Sequence, residues 1–573
     1  MCTRGARAAL GGEMTGPVDL TRKVLDLPGL DPDFMPRKSG PIIGIDLGTT
    51  NSCVAVVQDG KPRVIVSREG YSTIPSIVAA SDEGRLLIGH PAKGQMVTNP
   101  RRSVYGSKRL VGRPFGSPLV EEVRLRTHYQ VIEGPDGQAA VRLLECDFTL
   151  EEIAALILKE ARELAQAHLG QTVNRAVVTC PAFYNEHQRF AVRQAGRLAG
   201  LYVDRVLNEP TAAALAFGYG KGIKRRVVVY DLGGGTFDAT ALYIDKDKYE
   251  VVGTGGDTFL GGVDFDHLLV DLMLRRFKEQ HEVAFRGDRV AMQRIEEAAE
   301  TAKCALTEYS KYRIHIPHAT TIDERVYDID VTVSREEYEE LCRPLVERTM
   351  AVLAEVLQGA GMRPNAIQDV LLVGGMTRMP LVQARLERYF GQPPHKGVHP
   401  DEAVGLGAAL LANAIEKEEG IRLIDVIPMS IGVGLPAGRF MKVLKRQRPL
   451  PAEKKYTIGT TKKNQRTLEL HVFQGEHDNV ADNELLGTLV FDKLPKGPRG
   501  SVKVEVNFKL SDECILTLAA RELSSGRTLV TKMSAKGAPT SALRSLGAKP
   551  RAIGVGTDGG GGLLGLLKRL LGR

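Results

Sequence analysis

The chain has few cysteines and no close pair of them. Its seven cysteines in 573 residues are scattered and form no Cys-x-x-Cys motif, which argues against a zinc site or a disulfide scaffold. No run of about 18 apolar residues occurs, and residues 1–40 lack the apolar core of a secretion signal. The P-loop motif Gly-x-x-x-x-Gly-Lys-Ser/Thr is also missing. We therefore expect a soluble, cytoplasmic protein that is not a P-loop NTPase.

Length and charge set further limits on the protein. A chain of 573 residues with 43% hydrophobic content has room for two to four domains with ample cores. The formal net charge of +8 is a modest bias in a chain of this length. We expect no specific nucleic-acid partner on this evidence.

The pattern of residues changes along the chain. Thr149 and Glu152 form a predicted capping box at the start of an amphipathic helix over 150–169, within a region where β-rich and helical patterns alternate. From about residue 425 the pattern is strict strand alternation, as in 502–508. We predict a poorly ordered extension (1–40), an α/β nucleotide-binding domain (41–420), a linker (421–425), a β-sandwich (426–535), and a flexible Gly-rich tail with a short basic amphipathic helix (536–573).

Two short runs, 42–51 and 227–238, have the same pattern. Each reads as a buried strand that ends in an Asp, followed by a turn of Gly and Thr residues and a second β-rich run. Such a turn lets backbone N–H groups approach phosphate oxygens closely, and an Asp at the strand end can hold a hydrated metal ion. The two hairpins indicate one phosphate group held from both sides.

Seven motifs in order carry a resemblance to a known family. Together they resemble the DnaK-type heat-shock chaperones, within the actin and sugar-kinase superfamily, across roughly residues 41–535. The motifs lie at 45–52, 108–110, 181–185, 208–214, 231–238, 373–380 and 400–404. The resemblance implies an α/β actin-like ATPase domain, which is ribonuclease H-like and duplicated, followed by an all-β sandwich domain.

The resemblance also implies an ATP/ADP site with Mg²⁺. Asp46 and Asp231 would hold the hydrated Mg²⁺ through water. Lys108 would reach the γ-phosphate and orient the attacking water, with Glu209 completing the polar shell. Taken alone, Lys108 would rather be a surface lysine in a basic run and Glu209 a helix cap; the ordered set of motifs favours the catalytic roles. The expected phosphate-binding residues are Gly48, Thr49, Thr50, Asn51, Gly233, Gly234, Gly235 and Thr236.

The nucleoside is expected to lie between a helix and a Gly-rich turn. The residues implied are Glu300, Lys303 and Thr307, whose spacing places them on one helical face, together with Gly374, Gly375, Arg378 and Asp401. Two positions depart from the family pattern. Cys304 stands where a basic residue often stacks on adenine, and Val263 replaces a common carboxylate.

Coupling between the two domains would use Pro181, Arg189, Arg205 and Asp425, according to the resemblance. The linker position is occupied by 421–425, where the family has aliphatic residues closed by Asp. Arg422 is therefore a departure that could weaken linker docking, although an edge strand can leave alternate side chains in water.

The peptide groove of the family would be lined here by Val433, Ile458, Leu468 and Leu470. Simple core packing is the alternative for all four. Pro436 and Thr461 replace the usual apolar pair of the arch over the peptide, and the residues after about 535 are too few and too Gly-rich for the family's helical lid. We expect weaker or faster-exchanging peptide binding.

Two basic features have no assigned role. Residues 439–466 contain ten Lys or Arg against the single acid Glu453, which indicates either a solvated face or attraction to acidic clients, an anionic membrane or RNA. The leucine-rich run 563–571, near Lys568 and Arg573, could be a built-in pseudo-substrate, a membrane contact or a docked helix.

We interpret the chain as an ATP-dependent chaperone that lacks the lid and hydrolyses ATP to control peptide binding. Expected partners are unfolded client peptides, a J-domain co-chaperone and a nucleotide-exchange factor. One alternative is an actin-like or sugar-kinase-like ATPase, against which the strands after Asp425 argue. Another is an ATP-binding interaction protein with weakened interdomain coupling.

Overall fold

A computed structural model describes residues 36, 38–395, 397, 399–532, 542, 543 and 545–547. They form two compact units. The first comprises the described residues up to 429 together with 444–455 and 507–518, and the second comprises 430–443, 456–506 and the described residues from 519 onward. The predicted extension, apart from its last few residues, and nearly all of the predicted tail lie outside the described residues.

The amino-terminal half of the first unit is built on a mixed sheet. Its strand order is β12-β11-β1-β2-β3, with β1 antiparallel to β2 and parallel to β11. The strands of this half are β1 (Ile42–Asp46), β2 (Asn51–Gln58), β3 (Lys61–Val64), β4 (Ile74–Pro75), β5 (Val78–Ala80), β6 (Leu86–Ile88), β7 (Ser103–Val104), β8 (Gln130–Glu133), β9 (Ala139–Leu143), β10 (Cys146–Thr149), β11 (Arg175–Cys180) and β12 (Tyr202–Asn208).

The second half repeats this arrangement of strands. Its sheet has the order β18-β13-β14-β15-β19, with β13 antiparallel to β14 and parallel to β18. Each sheet thus places a meander of three antiparallel strands beside a parallel strand, as a duplicated fold requires. The strands are β13 (Lys224–Leu232), β14 (Phe237–Asp245), β15 (Lys248–Asp257), β16 (Lys311–Ile322), β17 (Arg325–Ser334), β18 (Asp369–Val373) and β19 (Arg422–Ile424).

Helices pack against both sheets. The predicted capping box is confirmed in α3, where the Thr149 side chain accepts from the Glu152 N–H and Glu152 accepts from the Thr149 N–H. None of the helices among the described residues is long and apolar enough to cross a membrane. The helices are α1 (His90–Met96), α2 (Pro118–Arg126), α3 (Leu150–Leu169), α4 (Glu186–Leu198), α5 (Glu209–Gly218), α6 (Gly262–His281), α7 (Arg289–Glu308), α8 (Arg335–Gly359), α9 (Pro380–Phe390) and α10 (Ala403–Glu416).

The strands that follow residue 430 form two four-stranded sheets. Their orders are β21-β20-β23-β24 and β22-β25-β26-β27. In β25 every second residue is buried, so the strict alternation predicted from the sequence is confirmed there. The strands are β20 (Ile431–Leu435), β21 (Arg439–Leu444), β22 (Ala452–Gly459), β23 (Leu468–Gln474), β24 (Glu484–Phe491), β25 (Lys503–Leu510), β26 (Leu516–Glu522) and β27 (Thr528–Lys532).

Helix α10 depends on a glycine for its contact with α5. A Cβ atom on Gly407 would lie 1.8 Å from the carbonyl oxygen of Ala212. We predict that Gly407→Ala lowers the free energy of unfolding by about 1–3 kcal/mol, because the two helix backbones must separate. Chemical denaturation followed by circular dichroism measures this change.

The matched control is Gly94→Ala in α1, where a Cβ would meet nothing within 4 Å. There the substitution should leave stability unchanged or raise it by up to about 1 kcal/mol, because Ala is the better helix former. Equal effects of the two substitutions would show that the α5–α10 contact is not tight.

Candidate nucleotide-binding site

The two predicted phosphate hairpins lie against each other. The first turn joins β1 to β2 and the second joins β13 to β14. A Cβ on Gly234 would lie 1.9 Å from Thr50 Oγ1, and one on Gly235 would lie 2.4 Å from Thr49 Cγ2. The side chains of the first turn therefore touch the backbone of the second. This approach requires glycine at both positions.

A cleft of about 730 Å³ opens beside the two turns. Its walls include residues from both halves of the first unit. The predicted ATP-site residues that line it are Asp46, Gly48, Thr49, Thr50, Asn51, Lys108, Glu209, Asp231, Gly233, Gly234, Thr236, Glu300, Lys303, Thr307, Gly374, Gly375, Arg378 and Asp401. Gly235 does not line the cleft, but it contacts Thr49 in the adjoining turn.

Lys108 and Glu209 form a buried ion pair in this cleft. Lys108 Nζ lies 2.6 Å from Glu209 Oε1, and each side chain is only 8% exposed. Burial alone would lower the pKa of Lys108, but the Glu209 carboxylate raises it above the ordinary value. The Tyr184 hydroxyl donates to the Lys108 carbonyl at 2.9 Å, which holds the backbone in place. Lys108 is thus a fixed, charged donor and not a mobile surface lysine.

Acidic side chains crowd the floor of the cleft. Burial, followed by repulsion from Glu209, raises the pKa of Asp46 to about 7. The same two causes raise the pKa of Asp231 and that of Asp238, which pairs with Asp231 across the second hairpin but does not line the cleft. Thr179 donates to Asp46 Oδ1 at 3.0 Å, and the Phe183 N–H donates to Asp238 Oδ1 at 3.1 Å. The floor therefore brings together more carboxyl groups than Lys108 could balance if all of them were ionised.

This excess of carboxylates fits a divalent cation. Mg²⁺ prefers oxygen ligands and keeps several of its waters when few carboxylates contact it. Among the described residues, no three acidic, His or Cys side chains lie close enough together to form a direct ligand cluster. Binding of a cation through water by Asp46 and Asp231, which the resemblance implies, stays a prediction.

The opposite end of the cleft has the features expected for a nucleoside subsite. Lys303 Nζ lies 2.8 Å from Asp266, whose pKa burial raises to about 6 against the opposing effect of Lys303. On the facing wall, Arg378 lies 2.6 Å from Asp401. Gly374 has φ +82°, and a Cβ there would lie 2.4 Å from the Leu232 carbonyl. Only glycine suits this turn.

The sequence did not single out Arg109, although it stands next to Lys108 in a recognised motif. Its Nε donates to the Gly235 carbonyl at 2.9 Å, and its Nη2 lies 2.6 Å from Asp264 Oδ2. Its guanidinium also lies over the Phe259 ring, 4.4 Å from the centroid. Arg109 thus ties the Lys108 turn to the second phosphate hairpin. Its partners are about 125 and 155 residues away in sequence, which no local pattern reveals.

The four residues predicted to couple the two domains do not line the cleft. Arg189 donates to the carbonyls of Ala182 (2.9 Å) and Tyr184 (3.2 Å), so it holds the loop that begins at Pro181. The other two coupling residues, Arg205 and Asp425, also belong to the first unit. Arg205 Nη1 donates to Asp512 Oδ2 at 2.5 Å, and the Thr211 hydroxyl donates to Asp425 Oδ2 at 3.4 Å.

The predicted groove residues differ widely in exposure. Val433, Leu468 and Leu470 are 0%, 4% and 6% exposed, as core residues are. Ile458 is half-buried, and Pro436 and Thr461 are exposed. A role in peptide binding stays a prediction for all six.

Paired glycine-rich hairpins, a buried Lys–Glu pair and a carboxyl-lined floor form a cleft that is suited to a nucleotide. The chain matches the family model described as Hsp70 protein over residues 42–544, which is most of its length. The protein belongs to the Hsp70 family. Members of this family are ATP-dependent chaperones that bind ATP or ADP with Mg²⁺.

We predict that Lys108→Met lowers the single-turnover rate of ATP hydrolysis by at least about 100-fold, because a fixed charge is lost where negative charge develops. ATP affinity should change only a few-fold. The double variant Lys108→Met with Glu209→Gln tests the ion pair, since it removes the Glu209 carboxylate that Lys108→Met alone would leave unpaired. It should regain stability without regaining activity. Lys61→Met on exposed β3 is the control. A near-normal rate in Lys108→Met would contradict the role.

The raised pKa of Asp46 predicts a pH-dependent linkage. Its folded pKa of about 7 exceeds the ordinary 3.8, so the free energy of unfolding of the metal-free protein should fall as pH rises between these values. Mg²⁺-nucleotide binding requires the ionised carboxylate and should release protons at pH 6.5 but few at pH 8.5. Calorimetry in buffers of different ionisation enthalpy measures this release. Asp46→Asn should reduce this release and leave the share that comes from Asp231. Release that is equal at both pH values would contradict the assignment.

Proposed function

We propose that Mg-ATP binding and hydrolysis in the cleft control the binding and release of extended apolar peptide segments by the β-rich region after residue 430. The observation that carries this proposal is the position of the linker. Its strand β19 pairs in parallel with β15, so the linker is an edge strand of a sheet that contributes to the nucleotide cleft.

The linker strand has a defined register and two distinct faces. Lys248, Tyr249 and Glu250 pair with residues 422, 423 and 424. The Arg422 N–H donates to the Asp247 carbonyl at 2.9 Å. The Arg422 side chain is exposed, whereas Ile421 and Leu423 pack against a buried apolar cluster. The departure at Arg422 therefore does not oppose docking, because that side chain points to water.

A short structural path joins the phosphate turn to this linker. The second hairpin continues directly into β14, which pairs with β15 from Phe237↔Asp257 to Asp245↔Lys248. The linker pairs with the beginning of β15. A shift of the turn in response to the γ-phosphate would thus reach the linker through two paired strands. Such a coupling is allosteric only if the linker has two states with different nucleotide affinity.

In the proposed chemistry, the chain's own groups position the reactants. Lys108 donates to the γ-phosphate and to the attacking water, while Glu209 keeps Lys108 charged and oriented. Threonine hydroxyls and backbone N–H groups of the two turns donate to phosphate oxygens. Asp46 and Asp231 hold the hydrated Mg²⁺, which would neutralise phosphate charge.

The partners are proposed from the same family membership. Hsp70 proteins generally bind client peptides and co-chaperones. We propose a J-domain co-chaperone and a nucleotide-exchange factor for this chain, together with contact of its basic segments with anionic surfaces.

The test is single-turnover ATP hydrolysis with and without an apolar peptide. Coupling predicts that a saturating peptide raises the rate several-fold. A rate that does not respond to peptide would instead favour an ATPase without peptide control. Peptide binding measured at the same time separates loss of coupling from loss of the groove.

Substitutions on the buried and the exposed face of the linker strand should have different effects on the peptide response. Leu423→Asp should abolish the peptide response, because it places a charge against the apolar cluster and undocks the strand. Arg422→Asp changes the charge even more but on the exposed face, so the response should remain. Basal hydrolysis should change little in both variants. Equal loss of the response in both would contradict the docking register.

A further inference from the structure

We propose that the second unit selects peptide segments rich in acidic residues through a basic rim beside its predicted groove. The basic rim is defined as the loops 460–467 and 492–503. It contains one acid, Asp492, and seven basic residues: Lys462, Lys463, Arg466, Lys493, Lys496, Arg499 and Lys503. The inference rests on the proposed function, because it names the class of segment that the groove would take.

Backbone hydrogen bonds hold the two loops of the basic rim side by side. The Asn464 N–H donates to the Gly497 carbonyl at 2.8 Å, and the Leu494 N–H donates to the Arg466 carbonyl at 2.9 Å. At the other end, the Gly500 N–H donates to the Thr460 carbonyl at 2.8 Å. The seven charges are therefore concentrated on one fixed backbone and not spread over independent loops.

The charge of the basic rim is not balanced within the described residues. All seven basic side chains are exposed, and none forms an ion pair with a described acidic residue. The single acid, Asp492, lies 3.5 Å from Arg527, which lies outside the rim. Like charges held this close repel one another, and an anionic partner relieves that repulsion.

The surface chemistry favours a peptide as the partner. Neither loop contains an aromatic residue, so the rim offers no platform for stacking nucleic-acid bases. Its larger apolar residues, Leu494 and Val502, are buried, so the rim has no apolar anchor for insertion into a membrane. The basic rim therefore offers exposed positive charge without aromatic or apolar anchors, which suits the carboxylates of an acidic peptide.

The rim adjoins residues that are predicted to line the groove. Thr461 lies within the first loop, Ile458 lies in β22 just before it, and Leu468 begins β23 just after it. A peptide whose apolar core reached these residues would place its flanking residues beside the rim. Acidic flanks would be attracted and basic flanks repelled. The basic run at 568–573 would likewise be repelled, which disfavours the pseudo-substrate alternative for the tail.

The test compares four fluorescent peptides bound to the full chain. Three share one apolar core and carry Glu, Ser or Lys flanks, and the fourth carries Glu flanks around a Ser core. At about 50 mM salt we expect the Glu-flanked peptide to bind at least about 10-fold more tightly than the Lys-flanked one. This ratio should shrink several-fold at about 0.5 M salt, because screening weakens interactions between exposed charges.

Charge reversal within the rim gives the matched comparison. Lys463→Glu with Lys496→Glu should erase or invert the flank preference and leave the Ser-flanked peptide unchanged. The control, Arg439→Glu with Arg521→Glu, makes the same charge change at exposed positions of the second unit outside the rim. The control should keep the preference. Equal effects of the two double variants would overturn the assignment to the rim.

The outcomes separate this inference from the proposed function. Equal binding of the three apolar-core peptides would overturn the charge preference while the chaperone function stands. Binding of the Glu-flanked Ser-core peptide without any binding of the Ser-flanked apolar peptide would support the rim and contradict the apolar groove. An oligonucleotide or anionic vesicle that bound through the rim when no acidic peptide did would overturn the peptide partner.

Discussion

The clustering of buried carboxyl groups at the floor of the cleft is the constraint on which the rest of the site depends. Asp46 and Asp231 come from the ends of strands in two different sheets, and Asp238 pairs with Asp231 just behind the cleft. Burial raises the pKa of each. Lys108 supplies the opposing charge and is itself held by Glu209 at 2.6 Å. An arrangement of this kind is costly without a ligand, because isolated buried charges are poorly solvated. It suits a site whose metal and phosphate complete the balance.

The same constraint links the two halves of the first unit. The threonines of one turn touch the glycines of the other, and Arg109 joins the Lys108 turn to Gly235 and Asp264. Any relative movement of the two turns must alter these contacts together. Because β14 and β15 continue from the second turn to the linker strand, the cleft and the linker share one paired sheet.

Local patterns predicted the parts of this structure that local physics determines. The capping box of α3, the alternation in β25 and the strand-Asp-turn pattern of both hairpins each involve residues close in sequence, and the structure has them. The residues of the cleft were identified as a set only through an ordered series of motifs that resembles a known family.

Contacts between distant residues could not be predicted in this way. Arg109 and Thr179 act through partners more than 100 residues away, and the exposure of Arg422 follows from its register against β15. The basic rim likewise could not be predicted from local sequence. The sequence marks 439–466 as basic, but only the hydrogen bonds between two loops bring 492–503 beside 460–467.

The central claim is that the nucleotide in the cleft controls docking of the linker strand. Amide hydrogen exchange of residues 422–424, measured with saturating ATP and then with ADP in a slowly hydrolysing variant such as Lys108→Met, tests it most directly. The account predicts slow exchange with ATP and exchange at least about 10-fold faster with ADP, because opening of the strand exposes its amides. Equal exchange in the two nucleotide states would contradict it.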